Sequence, residues 1–176
     1  MTVLVGYATK HGSTREVAER VADKLRQTGH AVDLQTITTD SDVSAYEAVV
    51  LGSAIYYGSW LKEATDFVRA NGAALAKRPT WLFSVGPLGV EVKDTQEQPK
   101  ELAEFRESIR FRDHHLFFGA LHPDKLSFAE RIVIKAVRAP EGDYRNWEEV
   151  DAWAGGIAAA LTHIQPQPGE TQPELG

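Results

Sequence analysis

Along this chain of 176 residues, apolar runs of strand length alternate with apolar positions at helical spacing. Val3-Leu4-Val5-Gly6-Tyr7-Ala8 is the first run, and it stops at the polar stretch Thr9-Lys10-His11-Gly12-Ser13-Thr14. Val17, Ala18, Val21, Ala22 and Leu25 then recur at the spacing of one buried helix face, while Arg15, Glu16, Glu19, Arg20, Asp23 and Lys24 occupy the other. Gly29 is placed to end that helix as a left-handed C′ residue. Residues 31–37 alternate only in part, through Val32 and Leu34, which predicts a strand near an edge. Ala48-Val49-Val50-Leu51-Gly52 is continuously apolar, the pattern of a central parallel strand covered on both faces. It leads into a stretch read as a loop, Ser53-Ala54-Ile55-Tyr56-Tyr57-Gly58-Ser59-Trp60.

Further on, Leu61, Ala64, Phe67 and Val68 mark a helix. Thr80 to Val85 is a strand that runs into the loop Gly86-Pro87-Leu88-Gly89. Leu102, Phe105 and Ile109 mark a helix through about Arg110, and His115 to Gly119 reads as a fifth strand. Residues 125–138 read as an apolar helix with a basic stripe. Asn146 with Glu149 three residues later has the form of a capping box for the last helix. Its buried face is Val150, Trp153, Ala154, Ile157, Ala158 and Leu161. Five strands alternating with helices predict an α/β fold, a doubly wound five-stranded parallel sheet with helices on both faces. Residues 1–164 form the domain, and 165–176, rich in proline and poor in apolar surface, read as a disordered tail.

Ligands of such sheets bind beyond the carboxyl ends of the strands, near the point where strand order reverses. Three polar or glycine-bearing stretches fall at strand ends: 9–14, 53–60 and 84–89. In the first, the unsatisfied N–H groups of a helix start and the helix dipole favour an anion. Thr9, Ser13 and Thr14 add hydroxyls, Gly12 permits close backbone approach, and no acidic side chain opposes a phosphate. The competing reading is that Ser13 or Thr14 simply caps the helix. Neither G-x-x-x-x-G-K-[ST] nor G-x-G-x-x-G is present, and a hydroxyl-rich loop with a single glycine suggests a mononucleotide. Tyr56, Tyr57 and Trp60 offer faces for a flat conjugated ring, and the backbone N–H groups of 84–89 offer donors for its polar edge.

Composition narrows the picture. Apolar content of 43% and charged content of 25% are ordinary for a globular domain. The absence of cysteine excludes disulfides, thiolate metal sites, iron–sulfur clusters and cysteine nucleophiles. His114 and His115 are adjacent and face opposite sides of a strand without a carboxylate cluster, so no metal site is expected. No G-x-S-x-G elbow is present. The formal charge of −6 argues against nucleic-acid binding. No run approaches the ~20 apolar residues of a membrane span. No leader-type segment precedes the first strand, so a cytoplasmic protein is the expectation.

Thr9-Lys10-His11-Gly12-Ser13-Thr14 resembles the FMN-phosphate loop of flavodoxins, [ST]-x-T-G-x-T, with His11 in place of a threonine. The resemblance extends to one branch, the flavodoxin-fold menaquinone-dependent protoporphyrinogen oxidases. Leu51-Gly52-Ser53-Ala54-Ile55-Tyr56-Tyr57-Gly58 is similar to its second loop, Phe83-Ser84-Val85 to a strand end, and Phe118-Gly119-Ala120-Leu121 with Trp147-Glu148 to its insertion and last helix. This implies non-covalent FMN, with its phosphate on Thr9 to Thr14 and its ring between Ser53, Ala54, Ile55, Tyr56, Tyr57, Gly58 and Ser84, Val85, Gly86, Pro87, Leu88, Gly89. It implies an FMN-dependent oxidoreductase with an organic redox substrate and a quinone as acceptor. A flavodoxin-type electron carrier with no substrate of its own is the alternative. Residues 90–104 depart from that branch: Glu91, Asp94, Glu97, Glu101 and Glu104 outnumber Lys93 and Lys100 where the branch is basic. Lys125, Arg131, Lys135 and Arg138 against Glu130 make 125–138 a candidate docking face for a redox partner protein or an anionic membrane, which would place the protein peripherally at an inner membrane.

Overall fold

The computed structural model describes residues 1–86, 98–121, 128–129, 142–143 and 145–164. Its parallel strands are β1 (Thr2–Ala8), β2 (Ala31–Thr36), β3 (Ala48–Tyr56), β5 (Thr80–Gly86) and β6 (Asp113–Phe118). They lie in the order β2-β1-β3-β5-β6, so the chain turns back on itself between β1 and β3. This is the doubly wound sheet expected from the apolar pattern. The inner strands carry the longest apolar runs because both of their faces are covered. Six consecutive residues of β3, Ala48 to Ser53, are buried, as is every residue of β5. β2 at the edge alternates between exposed and half-buried positions.

Two cores flank the sheet. On one face, α1 (Ser13–Gln27) and α5 (Trp147–His163) close over Val3, Val5, Val50, Phe83 and Phe117. On the other, α2 (Lys62–Ala70), α3 (Gly72–Leu75) and α4 (Leu102–Ser108) close over Leu4, Val49, Leu51 and Leu82. The buried face of α1 is Val17, Ala18, Val21, Ala22 and Leu25, joined by Thr14. Gly29 ends α1 with φ 90°: its N–H reaches Arg26 O at 3.0 Å while His30 N reaches Leu25 O at 3.3 Å, the paired bonds of a Schellman motif. Asn146 caps α5, its side chain accepting from Glu149 N at 3.2 Å. The carboxylate of Glu149 meets His115 Nε2 at 2.7 Å, fastening α5 to β6.

Two expectations are corrected. The stretch from Ser53 is not loop: β3 continues to Tyr56, the chain reverses at Tyr57 and Gly58, and β4 (Ser59–Trp60) returns antiparallel with Tyr56 opposite Ser59. Both turn residues have positive φ, 50° and 76°, as a two-residue turn matched to strand twist demands. Glycine at the second position is what the sequence offered as a sign of this turn; tyrosine at the first masked it. Ser84, Val85 and Gly86 likewise belong to β5, while Pro87, Leu88 and Gly89 lie outside the described residues. The short α3 and the pair β7 (Ala120–Leu121) and β8 (Gly142–Asp143) have too few residues to leave a periodic signal. The tail 165–176 and most of the basic segment 125–138 also lie outside the described residues; at residues 128 and 129 the backbone is helical and Phe128 is exposed. No helix among the described residues is long and apolar enough to cross a membrane.

Gly52 shows how tightly β3 and β5 are matched. It stands opposite Phe83, whose ring folds over it so closely that a Cβ would lie 1.9 Å from Cζ. Gly52→Ala therefore displaces a fully buried ring and is expected to cost about 1–3 kcal/mol, measured by denaturant unfolding against the parent protein.

Candidate functional site

Ala8 of β1, Ser53 of β3 and Ser84 of β5 occupy one register row, so everything beyond that row gathers at the carboxyl edge of the sheet. There the polar loop after β1, the hairpin of β3 and β4 and the end of β5 are neighbours. The switch in strand order between β1 and β3 lies between the first two. The three stretches singled out in the sequence thus share one end of the molecule.

The loop after β1 is shaped from within. Thr9 Oγ1 accepts from Gly12 N at 3.0 Å, and Gly12, with φ 92°, is the N-cap of α1. The hydroxyl-cap reading of Ser13 and Thr14 is not met, because no side chain caps this helix. Ser13 Oγ instead accepts from Ala120 N at 3.1 Å. Thr14 is only 1% exposed, and its hydroxyl has no hydrogen-bond partner among the described residues. A buried hydroxyl without a partner costs free energy that an incoming acceptor recovers. With the helix dipole behind it and no carboxylate in the loop, the acceptor that fits is an anion such as a phosphate.

Across the switch point, Tyr56 and Tyr57 stand edge to face, ring centroids 4.7 Å apart, and are 37% and 77% exposed. Lys10 of the first loop reaches over, its Nζ 3.8 Å from the centre of the Tyr56 ring. The third aromatic is different. Trp60 is buried against Phe105 and donates from Nε1 to Ser84 Oγ at 2.8 Å, so it belongs to the core and anchors the hairpin to β5. Ser53 has the same role, its hydroxyl accepting from Leu61 N at 3.0 Å. Ser53 and Ser84 are therefore placed to hold the hairpin, with their hydroxyls turned into the protein. Ala54 and Ile55 are half-buried along β3, and Ile55 shares a face with Gly86 and Leu116.

Two supports were not legible in the sequence. The first is His114, which faces Ser84 with Nε2 2.7 Å from its hydroxyl. Burial holds the His114 pKa down to about 4, against a smaller upward pull from Asp113. The ring is thus uncharged near neutrality, which leaves Nε2 able to accept the Ser84 hydroxyl hydrogen. His115 points to the opposite face, as adjacent strand residues must. The second support is the chain at 119–120. Gly119 donates to Gly86 O at 3.1 Å, and a Cβ at Gly119 would sit 3.1 Å from that oxygen and 3.5 Å from Ser13 Oγ. Beside it, Arg145 is almost wholly buried, pairs with Asp143 and with Glu16 of α1, and lies over the Trp147 ring. Its hydrogen bonds to Asp143 and Glu16 outweigh burial and raise its pKa above the usual guanidinium range. The β7–β8 pair is thereby fixed to the start of α1 and to the polar loop.

A parallel sheet with this strand order is a doubly wound α/β domain, and a hydroxyl-rich helix-start loop with aromatic rings beside it stands at the switch point, where such sheets bind ligands. The family model described as flavodoxin domain matches residues 4–147, and the chain belongs to that family. The family implies a flavin and a redox role. Over 182 aligned residues the chain is 25% identical to protoporphyrinogen IX dehydrogenase (quinone) of Escherichia coli strain K12, covering 96% of this chain and 98% of that protein. A protein of the same name from Leishmania major is 24% identical over 94% of this chain and 78% of its own length. Among solved structures, oxidised flavodoxin 2 of Bacillus cereus is similar, with TM-score 0.64, 21% identity and coverage of 92% and 99% of the two chains. A flavodoxin from the domain Archaea is similar at TM-score 0.63 and 15% identity, covering 93% of this chain and all of that one.

Two outcomes check this geometry. Gly12→Val forces a β-branched residue into a left-handed conformation and is expected to abolish retention of a phosphate-bearing flavin. Far-ultraviolet circular dichroism of the variant should remain that of the parent. Because the folded His114 pKa lies below its unfolded value of ~6.5, the unfolded chain binds more protons between that value and about 4. Stability from the neutral ring is thus full above the unfolded pKa and falls as pH drops towards about 4. His114→Asn should flatten that part of the stability–pH curve, measured by urea unfolding at several pH values.

Proposed function

We propose that this protein is an FMN-dependent oxidoreductase that passes electrons between an organic donor and a quinone. The observation that carries the reading is the extent of the match to the relatives named protoporphyrinogen IX dehydrogenase (quinone). It runs through both ends of the domain and through the segment bracketed by β7 and β8. A short electron carrier has no need of a segment between its fifth parallel strand and its last helix, whereas a protein that must receive an organic substrate has a use for one.

FMN suits the residues present. The loop 9–14 offers a helix start, a left-handed glycine and the buried Thr14 hydroxyl for a phosphate monoester. A single helix start with one glycine suits one phosphate better than the pyrophosphate of a dinucleotide. Ala54, Ile55, Tyr56, Tyr57 and Gly58 would border the ring on one side, and the end of β5 with residues 84–89 on the other. When bound, FMN supplies the two-electron redox chemistry, and the protein holds and orients it. Trp60, Ser53, Ser84 and His114 keep the hairpin fixed relative to β5, so that the ring would meet a preformed edge. The acidic side chains at 91, 94, 97, 101 and 104 disfavour a donor bearing several carboxylates.

The purified protein is expected to be yellow and to release on heating a cofactor that migrates as FMN. Anaerobic assays with menadione as acceptor and protoporphyrinogen as donor then test the enzyme. Turnover with both supports an activity like that named for the relatives. Rapid electron exchange with menadione and none with protoporphyrinogen supports a different organic donor. Release of FAD, or a protein that exchanges electrons only with other proteins, overturns the proposal, the second outcome in favour of a carrier.

A further inference from the structure

The contacts of Trp60, Ser84 and His114 have a direction. The Trp60 indole N–H can only donate, so Ser84 Oγ accepts from it at 2.8 Å. Ser84 is wholly buried, and His114 Nε2, 2.7 Å away, is the acceptor left among the described residues for its hydroxyl hydrogen. Nε2 is therefore the bare nitrogen, and the ring proton lies on Nδ1. A hydroxyl that donates in this way is also a better acceptor, so the neutral ring strengthens the hold on Trp60. Protonation reverses the last bond: an imidazolium Nε2–H only donates, and the Ser84 hydrogen is left buried with no acceptor among the described residues. The charged and titratable groups facing the ring are Asp113 and His115 on its own strand and Arg106 of α4, while β5 and the hairpin present the uncharged Ser84 and Trp60. Burial acts most strongly and keeps the ring neutral down to about 4; Asp113 opposes it, and His115 and Arg106 add to it.

We propose that His114 is a positioning residue that sets, through Ser84 and Trp60, how firmly the β3–β4 hairpin is held, and that its protonation loosens that hold. This deepens the FMN reading and rests on it. Trp60 stands opposite Ile55, and the next pair, Tyr56 with Ser59, closes the turn at Tyr57 and Gly58. Tyr57 has φ 50°, and a non-glycine residue keeps that conformation only where its surroundings over-determine it. The backbone of the returning strand has its own ties, Trp60 N to a Glu101 carboxylate oxygen at 3.2 Å and Lys100 N to Gly58 O at 3.1 Å. The indole is what joins the hairpin to β5, and His114 completes that joint from β6. His114 touches neither turn residue, so it acts on the aromatic wall of the site only through the bonds of Ser84 and Trp60.

The test compares His114→Leu, which cannot accept a hydrogen bond, with His114→Gln, whose side-chain carbonyl can take the place of Nε2. At pH 7 the leucine variant is expected to bind FMN about tenfold more weakly than the parent, and the glutamine variant to stay close to it. In the apoproteins, the indole N–H resonance of Trp60, assigned by its loss in Trp60→Phe, should move in His114→Leu and hold its place in His114→Gln. On acidification towards about 4, FMN affinity should fall further in the parent than in His114→Gln. Titration of the phosphate and of the carboxylates is common to both proteins, so the ratio of their affinities isolates the ring. Should His114→Leu fail to fold, Ser84→Ala removes the same joint by a smaller change and is read by the same resonance and the same affinity. An unmoved Trp60 resonance with parental FMN affinity in the leucine or alanine variant, or a parent-to-glutamine ratio that does not change with pH, overturns the role of His114 and leaves FMN binding in place. A parent protein that retains no flavin, with a Trp60 resonance that still responds to His114, overturns the FMN reading and not the joint.

Discussion

The molecule depends on the register of its three central strands. Ala8, Ser53 and Ser84 stand level across β1, β3 and β5, locked by parallel hydrogen-bond ladders buried on both faces. A slip of one residue would turn every side chain to the other face. Phe83 would then lose the space over Gly52, and Ser84 would lose Trp60 and His114. Because the ladders are continuous, the residues just past the row can be irregular without cost to the core. That is where the left-handed Gly12, the positive φ of Tyr57 and the Thr14 hydroxyl, without a partner among the described residues, occur.

The features at this edge are coupled through side chains that are not themselves aimed at a ligand. Trp60 and Ser84 tie the hairpin to β5, and His114 closes the chain of contacts on β6. On the other flank, Ala120 holds Ser13, while Arg145 holds Glu16. The polar loop is thus braced by the segment that follows β6, far from it in sequence. Such bracing lets a loop keep its shape before a ligand binds, which lowers the ordering cost of binding.

Membership of the flavodoxin domain family rests on the match over residues 4–147, and the similar solved structures support the fold. Neither carries a substrate. The identity to the named dehydrogenases is 25% or less. A single flavin site can serve a carrier or an enzyme. The difference lies in what surrounds the ring edge, which is why turnover decides between them and the fold does not.

The order of strands and helices, the buried face of α1, the cap at Asn146 and the position of the polar loop were all legible in the sequence. Each is a local property: an apolar period, a hydroxyl or glycine at a helix end, a run too apolar for an edge. The three stretches proposed as the site were legible as local patterns for the same reason. Their roles within it were not. Trp60 reads like Tyr56 and Tyr57 in sequence, yet it is buried because β4 folds back under the hairpin, and that fold-back depends on a non-glycine residue accepting positive φ. Ser53 and Ser84 read as ligand groups, but strand alternation turns both inward. The contacts of Lys10 with Tyr56, Ser13 with Ala120 and Arg145 with Glu16 span from tens of residues to well over a hundred. Pairings at that separation leave no local pattern, because only the closed sheet brings their strands and loops to one edge.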